Sequence, residues 1–311
     1  MKIKKLYKRI FLLFALLGFL FLHFYAARFI TEIRNPLVEI FRSDYLITTS
    51  AGFDNNPRNG KYINFTSFDN LTLSCFLTYS NQLPSKGTII LLHGIRSKKE
   101  QFIELSEKLS EMGYNSVALD SRAHGSSEGT HCTFGVKEKK DISTLITMLL
   151  EQENLSKNIG VWGQSLGGAI GLQALGSDHR IKFGVIESTF SDFRIITNDY
   201  IKRIFGINIK PINDYLVYRA GKIADFEPEN ARPIKYCEQI NQPILLVHGL
   251  KDERINIKYG YENYFKIPSN EKQFIAVESA NHTNVWKIGG QEYFNQVMAF
   301  IDGNTDEFGN E

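Results

Sequence analysis

The hydrophobic residues of this chain follow two alternating patterns from about residue 60 onward. Short uninterrupted apolar runs are typical of strands that are buried on both faces of a parallel sheet. Between them, other segments place apolar residues three or four positions apart, as on one face of a helix. The predicted strands, each built around such a run, lie at 88–92, 116–120, 159–162, 243–249 and 272–278, and the helical stripes at 102–112 and 142–150. Strands that alternate with helices predict an α/β fold with a mostly parallel, doubly wound sheet.

A pair of strands is predicted ahead of this alternation, at 61–66 and 71–79. Along the second of them three leucines and a cysteine alternate with two threonines, a serine and a phenylalanine, as in a hairpin strand. Farther on, some 55 residues separate a strand that ends near Glu187 from the run that begins at Pro243. Connections of this length commonly form lids or binding elements, so we expect a small cap at 190–235.

The cap sequence mixes apolar and basic residues, among them Tyr200, Phe205, Lys202 and Arg203. Such a mixture could line an acyl pocket or rest on a membrane surface. It could also belong to a helix that covers the sheet and leaves its basic face in water. The pattern favours the last interpretation and leaves the other two open.

A different pattern fills the N-terminus, where residues 10–27 form an uncharged run of 18 residues after five basic ones. As a helix this run is about 27 Å long, and Phe29 and Ile30 extend it toward the ~30 Å of a hydrocarbon core. A cleaved signal peptide is the alternative, but cleavage after Ala26 or Ala27 would place a large aromatic residue where a small one is required. We therefore predict a transmembrane signal anchor at 10–30.

The positive flank of this segment predicts its orientation. Basic residues before a span favour a cytoplasmic N-terminus, which puts the rest of the chain on the non-cytoplasmic side. The predicted organisation is a basic cytoplasmic tail at 1–9, the anchor at 10–30, a connector at 31–59, a catalytic domain at 60–302 and a polar tail at 303–311.

Charge and cysteine content narrow the possible functions further. The net charge of +2 includes five basic residues and no acid in residues 1–9, so the remainder carries −3. No basic stripe interleaved with aromatic residues is present, and nothing indicates a nucleic-acid partner. The three cysteines permit at most one disulfide. The sequence has neither a zinc-ligand spacing nor a dinucleotide fingerprint, so no cofactor is expected.

The segment 163–168 carries the strongest chemical signal, because it places a serine between a predicted strand and a predicted helix. The sequence Gly-Gln-Ser-Leu-Gly-Gly follows the apolar run at 159–162 and precedes a helix-like stretch. A sharp turn of this kind exposes the serine at its apex, and the flanking glycines leave room for close packing. We predict Ser165 as a nucleophile.

Two later positions supply the partners that a serine nucleophile needs. Asp252 follows the run at 243–249, and His282 follows the strand predicted at 272–278. Ligands bind at the carboxyl ends of the strands in open α/β sheets, and all three residues are predicted there. A hydroxyl needs a base to become nucleophilic, and that base needs an acid to orient it. We predict His282 as the base and Asp252 as its orienting acid.

An oxyanion site is expected from two backbone amides. One is the amide of Leu166, directly after the serine, and the other is the amide of Ile95, in the loop after the run at 88–92. His93 and Glu187 lie near these positions, and both are interpreted as residues that brace loops. The base and acid roles already have other occupants.

The chain resembles the α/β-hydrolase superfamily over residues 60 to 302. The resemblance rests on the motifs at 93–94, 120–127 and 163–167 together with Asp252 and His282. The motif at 120–127 is similar to an Asp-x-Arg-Gly-His-Gly-x-Ser element of serine aminopeptidase-like, monoacylglycerol-lipase-like and bem46-like members, with Ala123 in place of a glycine. The resemblance implies the α/β-hydrolase fold and a serine hydrolase activity.

The expected function is therefore a membrane-anchored serine hydrolase. Its predicted partner is a small-molecule acyl substrate, either an acylglycerol or a small carboxylic ester. A serine peptidase with the same fold is the main alternative, because the same residues cleave esters and amides. A non-catalytic, membrane-anchored binding module is the third possibility, and protein partners are not predicted.

Overall fold

The computed structural model describes residues 2–34, 59–153 and 155–305. In this part of the chain eight strands form one sheet, in the order β1-β2-β4-β3-β5-β6-β7-β8. Strands β1 and β2 are antiparallel, and the strands from β3 to β8 are parallel to one another. The strands are β1 Gly60–Thr66, β2 Thr72–Thr78, β3 Gly87–Leu92, β4 Tyr114–Leu119, β5 Ile159–Gln164, β6 Ile181–Glu187, β7 Ile244–Gly249 and β8 Lys272–Val277.

Helices cover both faces of this sheet, as the alternating pattern predicts. A hydrophobic cluster lies on each face, and the central strands β3, β4 and β7 are buried along their whole length. The helices of the domain are α3 Ile103–Glu111, α4 Glu138–Glu151, α5 Leu166–Leu175, α6 Phe193–Phe205, α7 Lys210–Ala224, α8 Pro233–Cys237, α9 Ile257–Lys266 and α10 Val285–Gly303. Short 3-10 turns lie at Lys99–Phe102 and Pro228–Asn230. The fold is that of an α/β hydrolase with an insertion after β6.

Strand β2 pairs with β1 as a hairpin and is buried on both of its faces. Six of its seven residues are buried, and only Thr72 is exposed. The reason is that β2 is an internal strand, paired with β1 on one side and β4 on the other. Phe76 packs into one core cluster while Cys75 and Leu77 pack into the other. The alternation in the sequence therefore describes the polarity of the β2 side chains but does not predict which of them are buried.

The N-terminal segment forms a long helical stretch that is almost entirely exposed. Helix α1 spans Lys2–Phe21, a π-helical turn spans Leu22–Ala26, and a short α2 spans Arg28–Thr31. The 28 residues Lys4–Thr31 have a mean hydropathy of 2.3 in their most apolar window. By length and composition this stretch can cross a membrane, as either an anchor or a signal sequence.

The end of this helical stretch packs against the cap. The hydroxyl of Tyr215 on α7 is hydrogen-bonded to His23 Nδ1 at 2.6 Å, and its ring stacks near Phe19. Ala27 is fully buried in a small cluster with Leu216 and Ala220 of α7. The apolar helix thus continues into a contact with the folded domain.

The next few residues lie on the α/β domain itself. The carbonyl of Thr31 accepts a hydrogen bond from the amide of Cys132 at 2.8 Å, and Arg34 donates to the carbonyls of Gly125 and Ser127. Residues 31–34 and Asn59 are the described part of the predicted connector. Its remainder, 35–58, and residues 306–311 of the predicted tail lie outside the described residues.

Candidate active site

Ser165 lies at a sharp turn between the end of β5 and the start of α5. Its backbone has φ 54° and ψ −113°, a conformation that residues other than glycine rarely adopt. The amide of Ser165 donates a 2.8 Å hydrogen bond to the carbonyl of Glu187, which ties the turn to the end of β6. Strained backbone of this kind persists only where the surroundings enforce it, and it is concentrated at functional sites.

Two glycines make this turn possible. A Cβ on Gly163 would collide with the backbone of Gly167 across the turn, and a Cβ on Gly167 would collide with the carbonyl of Leu92 in β3. Both obstacles are backbone atoms, which cannot move aside as a flexible side chain can. The glycine spacing therefore fixes the close approach of the serine turn to the central strand.

Asp252 and His282 meet Ser165 at the carboxyl edge of the sheet. The Nδ1 atom of His282 lies 2.8 Å from Oδ2 of Asp252, and its Nε2 atom lies 3.0 Å from Oγ of Ser165. A carboxylate only accepts hydrogen bonds, so Nδ1 carries the proton and Nε2 is free to accept the serine hydroxyl. The structure brings together the three residues that the sequence singles out.

The carboxylate of Asp252 is held by further donors. Its Oδ1 atom accepts hydrogen bonds from the amides of Arg254 and Ile255, both at 2.9 Å. Burial by itself would raise the pKa of Asp252. Hydrogen bonds from His248, His282 and the amide of Ile255 outweigh burial and hold the pKa of this carboxyl well below its ordinary value. Asp252 is therefore ionised, as an orienting acid must be.

His248 is a residue of this site that the sequence interpretation did not identify. Its Nε2 atom donates to the carbonyl of Ile255 at 2.8 Å and lies 3.4 Å from Oδ2 of Asp252. The histidine thus links the end of β7 to the loop that carries the acid. Its position directly before Gly249, at the end of a buried strand, was the available signal.

The two amides predicted for an oxyanion site are both near Ser165. Leu166 is the next residue in the chain, and the loop that contains Ile95 lies near the serine in space. Leu166 begins α5, so its amide has no acceptor within the helix. Ile95 follows Gly94, whose Cα hydrogen points at Ser165, because a Cβ built there would lie 3.6 Å from that of the serine. Neither amide donates a hydrogen bond to another residue in the described part of the chain.

Glu187 braces the serine turn from below, which agrees with its interpretation as a structural residue. Its fully buried carboxylate accepts hydrogen bonds from four side chains, namely Trp162 at 2.7 Å, Gln164 at 2.9 Å, Trp286 at 2.8 Å and Tyr293. Burial raises the pKa of Glu187, and these four donors oppose that shift. The carboxylate joins β5, β6 and α10 directly beneath the serine.

The loop at 120–127 is held by a buried ion pair. The carboxylate of Asp120 accepts hydrogen bonds from Lys99 Nζ at 2.6 Å and from the amide of Ser126 at 2.7 Å. Ala123, which stands where the resembling motif has a glycine, is buried and has φ 65°. The loop therefore keeps the left-handed conformation that glycine adopts easily, at the cost of some strain.

His93 is also structural, as its interpretation had it. The ring is fully buried, its Nδ1 atom donates to the carbonyl of Gly94 at 2.8 Å, and Nε2 accepts from the amide of Ser121 at 3.2 Å. Burial lowers the pKa of His93, so the imidazole is neutral. It fixes the loop after β3 against the loop after β4.

Comparisons with known proteins agree with this architecture. Residues 84–191 match the family model of the S33 serine aminopeptidases. Over 227 residues the chain is 24% identical to the uncharacterized protein YqkD of Bacillus subtilis, and the match covers 71% of this chain and 72% of the relative.

Solved structures with the same fold include an esterase and a peptidase. The Pyrococcus furiosus esterase Pf2001 superposes with a TM-score of 0.67 at 23% identity, over 82% of this chain and 96% of the esterase. An acylaminoacyl peptidase from Pyrococcus horikoshii gives a TM-score of 0.62 at 18% identity, over 81% of this chain and 42% of the peptidase. The chain therefore has the α/β-hydrolase fold. The family model and the neighbours together support a hydrolase.

Proposed function

We propose that this protein is a serine hydrolase that cleaves carboxylic esters through an acyl-enzyme intermediate. The observation that carries the proposal is the continuous hydrogen-bonded series from Ser165 Oγ through His282 to Asp252, at 3.0 and 2.8 Å. Each member has the environment that its role requires, since the serine is at a strained turn and the acid is ionised.

In the proposed mechanism His282 Nε2 takes the hydroxyl proton of Ser165 as Oγ attacks the ester carbonyl carbon. The carbonyl oxygen becomes an oxyanion, which we assign to the amides of Ile95 and Leu166. Collapse of the tetrahedral intermediate breaks the bond to the alcohol, which leaves with the proton from His282. Water then attacks the acyl-serine ester with His282 as base, and the carboxylic acid is released.

An ester substrate is proposed before a peptide for one reason. The match covers 96% of the esterase Pf2001 but only 42% of the acylaminoacyl peptidase, which contains a large part that this chain does not match. The peptidase remains the second candidate because the family model that matches residues 84–191 is that of serine aminopeptidases. A panel of short-chain esters, long-chain acylglycerols and aminoacyl amides tests the order of these candidates.

Covalent labelling with a fluorophosphonate tests the nucleophile. The full chain should be labelled at Ser165, and Ser165→Ala should abolish both labelling and ester turnover. The matched control is Ser126→Ala, which removes an exposed serine from a neighbouring loop and should leave labelling intact. Undiminished labelling of the Ser165→Ala protein would refute the assignment. A full chain that is neither labelled nor active would favour the non-catalytic module.

We also propose that Lys4–Thr31 is retained as a single-span anchor, with its N-terminus in the cytoplasm and the α/β domain on the other side. The packing of Phe19, His23 and Ala27 on α7 supports retention. Cleavage after Ala26 or Ala27 would remove most of this contact and uncover Leu216 and Ala220.

Extraction and terminal sequencing test the anchor. The protein should sediment with membranes after an alkaline wash, because burial of an apolar helix is insensitive to salt and pH. Its N-terminus should be Met1 or Lys2, and protease added on the non-cytoplasmic side should digest the α/β domain. A soluble protein that begins near Arg28 would restore the signal-peptide alternative.

A further inference from the structure

The turn between the two cap helices carries an unusual concentration of exposed apolar side chains. Residues 202–212 are all exposed, and Ile204 and Phe205 are each 68% exposed. We call residues 204–212 the cap tip. Its large exposed apolar side chains are Ile204, Phe205, Ile207, Ile209 and Ile212. Contiguous exposed apolar surface of this kind marks an interaction site.

Helix α7, which begins within the cap tip, lies beside the apolar N-terminal helix. The contacts between the two helices show which of their residues lie at the same depth. Phe19 and His23 contact Tyr215, the carbonyl of His23 accepts hydrogen bonds from Arg219, and Ala27 packs with Leu216 and Ala220. Residue numbers rise together along the two helices, so α7 and the N-terminal helix run in the same direction. The start of α7 therefore points toward the interior of the apolar span.

The rise per residue of an α-helix gives the depth of the start of α7 along the N-terminal helix. Phe19 precedes Ala27, the end of the uncharged run, by eight residues, which is about 12 Å of helix. Tyr215 lies at the level of Phe19 and His23, and α7 begins at Lys210, about 7.5 Å farther in the same direction. A bilayer that surrounds residues 10–27 would therefore surround the cap tip as well.

The charges around the cap tip fit the surface of an anionic bilayer. Residues 202–212 contain Lys202, Arg203 and Lys210 and no acid. Lys210 pairs with Asp214, but Lys202 and Arg203 form no ion pair with any residue that the structure describes. Both border a cleft of about 410 Å³ in which four basic residues outnumber two acidic ones. Its lining also includes Arg254, Lys258, Asn256, Asp199 and Glu253. Long basic side chains next to buried apolar ones extend toward lipid headgroups.

We propose that the cap tip inserts into the non-cytoplasmic leaflet beside the anchor, with the side chains of Lys202 and Arg203 extending from it toward anionic headgroups. This inference rests on the proposed anchor. Helix α6 begins four residues after Thr189, whose hydroxyl donates to the carbonyl of Ser165 at 2.8 Å. One short element thus connects the leaflet with the serine. The substrate class that suits this arrangement is an acyl ester that resides in the bilayer.

Site-directed fluorescence on the full chain tests the insertion. Single cysteines at Phe205 and, separately, at Ile207 carry an environment-sensitive fluorophore in phosphatidylcholine–phosphatidylglycerol nanodiscs. The three native cysteines are buried and serve as the unlabelled background. A probe at Phe14 reports the anchor. A probe at Leu83, which is 93% exposed before β3 at the edge of the sheet opposite Ser165, reports water.

Quenchers attached to the acyl chains near the headgroups should remove most of the emission at Phe205 and Ile207 and leave Leu83 unchanged. Quenching at Phe14 without quenching at the cap tip would overturn the insertion and keep the anchor. No quenching at Phe14 would remove the anchor and this inference together. Cap-tip probes that are shielded from water but not quenched would show a protein contact instead, and would also overturn it.

Activity tests the substrate class. The double variant Phe205→Ser/Ile207→Ser should hydrolyse a short soluble ester at the rate of the unaltered protein and a long-chain acylglycerol in nanodiscs several-fold more slowly. An unchanged rate on the long-chain ester would contradict a bilayer-resident substrate. An equal loss on both esters would contradict it too, because it would indicate a damaged site.

Discussion

The serine turn and the cap tip represent two opposite ways of arranging side chains at the same edge of the molecule. Around Ser165 the side chains of His282, Asp252 and Glu187 are all hydrogen-bonded, and glycines bring the backbone of β5 and α5 close to β3. At residues 204–212 large apolar side chains have no partner within the described part of the chain that would bury them. The side chains of the serine turn find their partners within the fold, whereas the apolar side chains of the cap tip would be buried only in hydrocarbon.

This difference indicates where the free energy of each region originates. Buried hydrogen bonds in the site stabilise one geometry, because an unpaired donor or acceptor there costs about 1–3 kcal/mol. The cap tip gains nothing from water, and each apolar side chain moved into hydrocarbon contributes about 1.5–3 kcal/mol. Substitutions in the site should therefore change chemistry or folding, and substitutions in the cap should change the relation to lipid.

The largest expected effect is at Asp252. Asp252→Asn should lower kcat by roughly four orders of magnitude with the fold intact, because an amide favours the wrong imidazole tautomer. Steady-state hydrolysis of a soluble ester, with thermal unfolding as the check on folding, measures it. Asp225→Asn is the control, since that side chain is 95% exposed and pairs only with Lys137. Full activity of Asp252→Asn would mean that another acid, such as Glu253, orients His282.

Glu187 gives the next largest effect, on stability rather than on chemistry. Glu187→Gln replaces one carboxylate oxygen with an NH2 group, which cannot accept a hydrogen bond. At least one of the four donors is then left unpaired, and the free energy of unfolding should fall by about 3 kcal/mol. Chemical denaturation measures the loss. Glu107→Gln, at an exposed position of α3, is the control. If the two variants were equally stable, the four hydrogen bonds would contribute little to the turn.

The smallest effect is at the contact between anchor and cap. Tyr215→Phe keeps the ring beside Phe19 and removes the hydrogen bond to His23, which should cost about 1 kcal/mol. In nanodiscs the Tm should fall by about 2–4 °C, with turnover of a soluble ester unchanged. Tyr218→Phe, on the exposed side of the same helix, should leave the Tm unaltered. A Tyr215→Phe protein with lower turnover would show that the contact between the anchor and α7 affects the active site.

The sequence predicts the sheet and the serine turn well, because both are local. An uninterrupted apolar run such as 243–249 needs only its own residues to indicate a buried strand, and the glycines at 163 and 167 flank their serine directly. The meeting of Asp252 and His282 with Ser165 follows from a rule of topology, since the ends of parallel strands share one edge.

Contacts between distant segments could not be read from such patterns. The four donors to Glu187 come from β5 and α10, and no spacing relates Trp162 to Tyr293. The packing of His23 on Tyr215 joins residues 192 positions apart. Burial of both faces of β2 depends in the same way on which strands become its neighbours. Local patterns specify elements, whereas these contacts depend on how the elements assemble.

The contact of the apolar helix with α7 has a consequence for assembly. It consists of hydrogen bonds from Tyr215 and Arg219 to His23, two ring contacts of Tyr215 and one small apolar cluster, which would be a weak interface between separate molecules. Here both partners belong to one chain. Joining two partners raises the effective concentration of each at the other, so a contact too weak to hold separate molecules together can still keep them docked. The position of the cap beside the apolar helix therefore does not require a strong interface.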